Sequence, residues 1–124
     1  MISPEEAEQI AREWLEAFNS RDLDRITAHY AEDVELTSPT VVRLLSYADG
    51  TVRGKENLRA YFERGLAAYP QLQFDLVQVL AGVNSVTVYY RNDRGMLVAE
   101  VMVLDSSGKI AKVMVHHATS REAP

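Results

Sequence analysis

The side chains best suited to moving protons are a pair of histidines and one isolated glutamate. Residues 112–118 read KVMVHHA, so His116 and His117 stand together at the end of an apolar, β-branched run. Glu100 is the only charged residue in the stretch LVAEVMVL at 97–104. Histidine titrates near neutral pH, and a buried carboxyl resists ionisation, so both groups suit acid–base chemistry. The structural alternatives are an ion-paired or solvent-facing glutamate, and a histidine at a rim or interface.

Strand geometry argues against a metal site built from the two histidines. Adjacent residues of a strand point to opposite faces, so His116 and His117 cannot bind one ion together. The third histidine, His29, lies in a distant helical segment. We therefore predict no metal and no cofactor, and only one histidine of the pair can face a pocket. The alternation places Ala111, Val113, Val115 and His117 on one face and Ile110, Lys112, Met114 and His116 on the other.

Helical patterns dominate the first half of the chain. The stretch SPEEAEQIAREWLEAFN at 3–19 begins with a capping box, Ser3 and Glu6, and has apolar residues at helical spacing. A short second helix is predicted over about 22–30 and a third from 54 or 55 to 68. Residues 34–39 predict a strand that ends at Pro39. For residues 40–53 we predict a short strand followed by a loop, which could act as a lid.

The second half of the chain is strands separated by short turns. The stretches QLQFDLVQVLAG, SVTVYYRND, MLVAEVMVLD and KIAKVMVHHA are separated by turn-forming residues. Short connections favour antiparallel neighbours. Helices packed on an antiparallel sheet make an α+β domain, and 124 residues suit one domain, residues 1–124.

Composition excludes several classes of protein. The chain has 13 basic and 18 acidic residues, for a net charge of −5, so it lacks the basic excess of a nucleic-acid binder. There is no cysteine. No apolar stretch approaches the ~20 residues that span a membrane. The N-terminus lacks the pattern of a secretory signal, and we predict a cytoplasmic protein without nucleic-acid or membrane partners.

The strand at 97–104 is apolar on both faces. Half-buried strands alternate polar with apolar residues, so this pattern implies that both sides of the sheet are covered. Helices can cover one side. For the other we predict a second copy of the chain, hence a homodimer through the outer sheet face. The alternative cover is the chain's own terminus.

Three stretches carry a resemblance to a known family. They are AREWLEAFNSRDLDRITAHYAEDVELTSP, DGTVRGKENLRAYFERGL and the four strands that end in DSSGKIAKVMVHH. Together they resemble the nuclear transport factor 2-like superfamily, and within it the SnoaL-like and ketosteroid-isomerase-like proteins. The resemblance implies a single SnoaL-like domain with a cystatin-like roll, in which a cone-shaped, curved antiparallel sheet packs on three N-terminal helices. It also implies an inner pocket for a small apolar molecule.

The resemblance assigns roles to individual positions. Ketosteroid isomerases use an aspartate base and two oxyanion donors, a tyrosine and a protonated aspartic acid. The base would fall at Ser38, whose hydroxyl is no base without a partner. The donor tyrosine would fall at Trp14. The protonated acid would fall at Glu100, so this position also carries a carboxylic acid. The family also places His117 on the cavity wall. The implied ligand-binding set is Trp14, Ser38, Phe62, Met102, Val115 and Tyr47.

Two hypotheses about function follow. In the first, the chain is an isomerase, cyclase or dehydratase that acts on a ketone-type substrate, with His117 moving the proton and Glu100 donating a hydrogen bond. In the second, it is a non-catalytic ligand-binding or dimerisation module. The absence of an aspartate at position 38 favours the second.

Overall fold

The computed structural model describes residues 1–120, so residues 121–124 of the predicted domain lie outside the described part. The described part contains four helices and six strands. The helices are α1 (Pro4–Ser20), α2 (Leu23–Thr27), α3 (Pro39–Leu45) and α4 (Lys55–Ala68). The strands are β1 (Tyr30–Thr37), β2 (Thr51–Arg53), β3 (Asp75–Ala81), β4 (Ser85–Arg91), β5 (Leu97–Leu104) and β6 (Ile110–His117). Along the chain they follow one another in the order α1-α2-β1-α3-β2-α4-β3-β4-β5-β6.

Helix α1 forms where the capping box predicted it. The Ser3 hydroxyl accepts a hydrogen bond from the Glu6 backbone N–H at 3.1 Å. The helix ends at Arg21, whose left-handed backbone (φ 62°) stops the helical hydrogen-bond pattern. One face is buried against the sheet, through Ala7, Ala11, Trp14, Ala17 and Phe18.

The prediction of a short strand at the start of segment 40–53 was wrong, because a helix forms there, whereas the predicted loop does follow at residues 46–50. The Ser38 hydroxyl accepts the Thr40 backbone N–H at 3.2 Å, Pro39 occupies the first turn, and α3 follows. Serine then proline is a helix-start signal, and here it outweighs the β-branched composition of the residues that follow. The turn after α3 leads into β2, which pairs antiparallel with β1.

The six strands form one sheet in the order β2-β1-β6-β5-β4-β3. All neighbours are antiparallel except β1 and β6, which are parallel. Pairing shifts register once in each of three strand pairs, which bends a sheet. The predicted α+β class with a curved sheet is confirmed, with α3 as an additional helix.

Register fixes which side chains of β5 and β6 face the helices. Glu100 pairs with Val115 and Val98 with His117, and these four residues share the inner face. Alternation places Ile110 on the same face as Lys112 and His116, but in the structure it lies in the core, where it is 1% exposed. A register shift at this end of β6 accounts for the difference.

The outer face of the two central strands remains partly accessible in a single chain. Its apolar residues are Ala99, Val101, Val103 and Met114, all of intermediate exposure. What covers them in solution stays a prediction. Among the described helices, none is long and apolar enough to cross a membrane.

Candidate active site

A cavity of about 100 Å³ lies between the helices and the inner face of the sheet. Its interior is mainly aromatic and aliphatic, and its polar groups come from the start of α3, from α4 and its C-terminal end, from β4, β5 and β6, and from the turn between β4 and β5. The apolar lining includes Phe18, Leu36, Phe62, Leu66, Leu72, Phe74, Val98 and Val115. The polar lining includes Ser38, Thr40, Tyr61, Tyr69, Tyr90, Asn92, Asp93, Arg94, Glu100 and His117.

Glu100 lies deep in this cavity. Strand β5 points its side chain inward, and the residue is 7% exposed. The Tyr90 hydroxyl on the neighbouring strand donates a hydrogen bond to Glu100 Oε2. Burial raises the pKa of the Glu100 carboxyl from 4.5 to about 7, and the bond from Tyr90 only partly opposes this. A substantial fraction of Glu100 is therefore protonated near neutral pH and able to donate a hydrogen bond.

Three tyrosines lie around this carboxyl. Burial raises the pKa of Tyr61 to about 12 and that of Tyr30 and Tyr90 well above the ordinary value, and the charge of Glu100 adds to each shift. All three hydroxyls therefore stay protonated across the physiological range. Trp14 Nε1 donates to Tyr30 Oη at 2.9 Å, which fixes the position of that hydroxyl. Glu100 is thus surrounded by neutral groups.

His117 lies nearer the cavity mouth. Its imidazole is half-buried, and burial lowers its pKa, with Arg43 and Arg94 adding to the effect. The ring is therefore a neutral base near pH 7. Its neighbour His116 is exposed on the opposite face of β6, as alternation predicts. Since Glu100 pairs with Val115, His117 is its diagonal neighbour across the strands, at roughly 7–8 Å between backbones.

The mouth is lined by the turn that joins β4 to β5. Asn92 Oδ1 accepts the backbone N–H groups of Arg94 and Met96, both at 3.0 Å, and so holds the turn in place. The Arg94 guanidinium lies over the Tyr69 ring, 4.3 Å from its centroid. The mouth therefore presents a positive charge next to the neutral imidazole of His117.

The cavity brings together five of the eight residues predicted for the site. Glu100, His117, Ser38, Phe62 and Val115 line it. Ser38 lies there as the cap of α3, with its hydroxyl accepting a backbone N–H. Position 38 therefore carries a hydroxyl and not the carboxylate that a ketosteroid isomerase would have there.

The other three predicted residues lie elsewhere. Trp14 is fully buried behind the cavity wall and stacks on Phe74 with ring centroids 5.8 Å apart. Met102 is also fully buried, in the core. Tyr47 is 48% exposed, beside β2. None of them is among the residues that line this cavity, so the structure adds no support to their predicted contact with a ligand.

Sequence reasoning missed the tyrosines and Arg94. Tyr30 reads as a packing residue, and of the adjacent pair Tyr89 and Tyr90 alternation says only that one faces inward. The direction in which each hydroxyl points depends on contacts between segments that are distant in sequence. One example is the hydrogen bond between Trp14 and Tyr30, which are 16 residues apart. An arginine in a turn reads as a solvated charge.

The arrangement can donate a proton or hydrogen bond from one end and accept a proton at the other. A carboxyl whose pKa is raised and an imidazole whose pKa is lowered share one cavity. Within residues 1–120, no group of three histidine, aspartate or glutamate side chains is placed to hold a metal ion.

Comparison with solved structures gives a similar SnoaL-like protein of unknown function from Burkholderia thailandensis E264. It is 38% identical, with 94% of this chain and 98% of that chain covered and a TM-score of 0.91. A provisionally assigned isomerase of the SnoaL-like family from Agrobacterium tumefaciens str. C58 is 20% identical, with coverage of 90% and 97% and a TM-score of 0.74.

A third similar structure is SalBIII, an epoxide hydrolase/cyclase-like enzyme with a role in pyran ring formation in the polyether salinomycin. It is 20% identical, with coverage of 96% and 95% and a TM-score of 0.73. At this identity it and the Agrobacterium protein show a shared fold. Comparison with the curated proteins finds no match.

The family model for the SnoaL-like domain matches residues 11–116, which is most of the chain. The matched range runs from α1 to β6 and includes Glu100, although it ends one residue before His117. Together with the Burkholderia structure, this match confirms the resemblance seen in the sequence. The chain belongs to the SnoaL-like domain family.

Proposed function

We propose that this chain is an acid–base enzyme that isomerises, cyclises or dehydrates a small, largely apolar carbonyl compound. The observation that carries the proposal is that Glu100 and His117 line one cavity, where burial raises the pKa of the carboxyl and lowers that of the imidazole. Buried groups with perturbed pKa values in a cleft occur preferentially at functional sites.

The pKa directions assign the roles. His117, whose pKa lies below 6.5, is unprotonated near neutral pH and accepts a proton from the carbon next to the substrate carbonyl. Glu100, whose pKa is about 7, is protonated in a substantial fraction of molecules near neutral pH, and this form donates to the oxygen on which negative charge develops. The Tyr90 hydroxyl, already bonded to Glu100 Oε2, holds the carboxyl in place.

The spacing of the two groups suits a substrate that bridges them. Diagonal neighbours on adjacent strands are roughly 7–8 Å apart at the backbone, and both side chains project to the same face. A carbonyl oxygen and the hydrogen on the adjacent carbon lie within one small molecule. One ligand can therefore contact Glu100 and His117 at the same time.

The size and lining of the cavity limit the substrate. Ligand pockets usually measure about 300–1,000 Å³, whereas this cavity measures about 100 Å³. The substrate is therefore small or extends through the mouth. Isomerase and cyclase activities, the reaction classes named for the Agrobacterium protein and for SalBIII, both involve proton transfer.

A second candidate function is a binding module without chemistry. The observation that favours it is Ser38, which lines the cavity where a ketosteroid isomerase would place its aspartate base. Its hydroxyl serves as a helix cap, so it has no free base to offer. In this reading the cavity holds an apolar molecule, and His117 makes contact with it.

Solvent deuterium exchange distinguishes the two functions. Phenylacetone, a small neutral ketone with exchangeable hydrogens, is incubated with the protein in D₂O and followed by proton NMR. The enzyme reading predicts catalysed exchange that falls by roughly 10²–10³ in Glu100→Ala, the cost typical of losing one oxyanion donor. If exchange with this ketone and with smaller aliphatic ketones equals the rate in buffer, while the ketones still bind, the binding-module reading replaces the enzyme.

We also propose that a second copy covers the outer sheet face. The partly exposed apolar residues Ala99, Val101, Val103 and Met114 lie on β5 and β6, the two central strands of the sheet. A patch at the centre of a face can contact its own copy across a twofold axis. Native mass spectrometry should show a dimer that Val101→Glu converts to a monomer. A wild-type monomer at micromolar concentration would contradict the proposal.

A further inference from the structure

Arg94 has a donor that no group in the described chain satisfies. Its Nη1 atom is buried from solvent and has no hydrogen-bond partner within residues 1–120. The nearest acid is Asp93, whose Oδ1 lies 3.7 Å away, beyond hydrogen-bond distance. An unpaired buried donor is costly, and a guanidinium donor more so than an amide. Nη1 therefore has an ion-pair partner but no hydrogen-bond acceptor among the described residues, and the rest of the side chain, which lines the cavity, is partly exposed.

The position of this guanidinium is fixed before any ligand binds. Asn92, itself 8% exposed, accepts the backbone N–H groups on both sides of the turn. Gly95 adopts φ 80°, a conformation that closes the turn and that other residues rarely take. The Tyr69 ring lies beneath the guanidinium at 4.3 Å. A fixed planar guanidinium can bind both oxygens of a carboxylate.

Charge at the mouth favours an anion. Arg94 and Arg43 both lower the pKa of His117, so the imidazole lies in a positive potential. Asp93 offsets part of that potential, since it lies beside Arg94. Farther in, the lining is aromatic and aliphatic. The cavity therefore offers an apolar interior with a cationic, donor-bearing mouth.

We propose that the ligand of this cavity is an apolar carboxylic acid, whose carboxylate binds Arg94 at the mouth while its hydrocarbon part fills the interior. This inference rests on the proposed function, in that it takes the cavity as the small-molecule site. In the catalytic setting, the carboxylate orients the molecule so that its reacting carbons lie between Glu100 and His117.

The experiment compares two probes of similar size and shape, a carboxylate and its neutral amide. Phenylacetate and phenylacetamide are titrated into the protein by calorimetry at pH 7. A charge-assisted pair with Arg94 predicts a preference for the acid of roughly tenfold to a hundredfold. Arg94→Gln should remove the preference yet bind the amide as wild type does, which also shows that the variant is folded. Arg94→Lys, which keeps the charge without the planar fork, should show an intermediate preference.

A matched control removes an arginine elsewhere. Arg12 lies exposed on α1, paired with Glu8 at 3.4 Å, so Arg12→Gln changes the net charge equally and should keep the full preference. Equal binding of acid and amide, a preference that survives Arg94→Gln, or no binding of either probe up to its solubility limit would overturn the inference. Failure of the phenylacetone exchange assay with an intact preference would reject catalysis on simple ketones and leave the carboxylate site in place, because binding of that ketone does not depend on Arg94.

Discussion

The two ends of the cavity treat their ionisable groups in opposite ways. At the deep end, Glu100 is 7% exposed and has tyrosine hydroxyls for neighbours. At the mouth, His117 is half-buried and has two arginines nearby. Burial acts at both ends. It raises the pKa of the acid and lowers that of the base, because in each case it disfavours the charged form.

A single apolar cavity can therefore favour the protonated form of an acid and the unprotonated form of a base at the same pH. In water at pH 7 a glutamate has lost its proton and a histidine is mostly neutral, so only the base is ready. Here the carboxyl keeps a substantial share of its proton near neutrality. The positive groups at the mouth further ensure that His117 stays unprotonated.

The largest expected effect is the loss of exchange rate when His117, at the cavity mouth, is replaced. His117→Ala removes the proposed base and should lower the rate of ketone exchange by roughly 10²–10⁴, the usual contribution of a positioned base. His116→Ala is the matched control, because His116 lies on the opposite face of the same strand. Exchange rates measured by NMR for both variants decide the matter. Equal losses in the two variants would remove His117 from its role.

A second prediction concerns the deep end and the stability of the fold. The folded-state pKa of Glu100, about 7, exceeds its ordinary 4.5, so protonation favours the folded state. Its contribution to the free energy of unfolding is complete below pH 4.5, decreases as pH rises from 4.5 to about 7, and is lost above. The expected difference is about 3 kcal/mol.

Urea unfolding at pH 5 and pH 8 measures this difference. Glu100→Gln lacks the titration, so the gap between wild type and variant isolates it from other groups. His29 and His117, whose lowered pKa values act in the opposite direction, are present in both proteins and cancel. A gap that does not change with pH would mean that Glu100 titrates normally.

The smallest predicted effect is a loss of stability when Trp14, which holds Tyr30 in place behind the cavity, is replaced. Trp14→Phe removes the donor that fixes Tyr30 and leaves a void in a fully buried site. The variant should lose about 1–3 kcal/mol of unfolding free energy. Tyr47→Phe, at an exposed aromatic, is the control and should change little. Chemical denaturation of both proteins provides the values, and an unchanged Trp14→Phe variant would show that the indole does not support the site.

Much of the architecture could be read from local patterns. The capping box of Ser3 and Glu6 predicts α1, and strand alternation predicts that His116 and His117 point to opposite faces of β6, while the family resemblance places His117 and Glu100 at the cavity. The capping box and the alternation depend on residues near each other in sequence. The helix at Pro39–Leu45 was missed because its residues favour strands, while its start depends on one serine cap.

The chemistry of the site was less accessible from sequence. The bond from Trp14 to Tyr30 and the stacking of Arg94 on Tyr69 join separate elements, so no local pattern reports them. Resemblance placed Trp14 against the ligand, whereas in this chain it lies one layer behind. Only three-dimensional packing shows which side chains reach a cavity.

Side-chain NMR titration tests the central claim most directly. Carbon-13 labelling of glutamate and histidine allows the Glu100 carboxyl and the His117 ring to be followed from pH 4 to pH 9, assigned with Glu100→Gln and His117→Ala. The account predicts a midpoint for Glu100 near pH 7 and for His117 below 6.5. A midpoint for Glu100 near 4.5, or for His117 at or above 6.5, would contradict it.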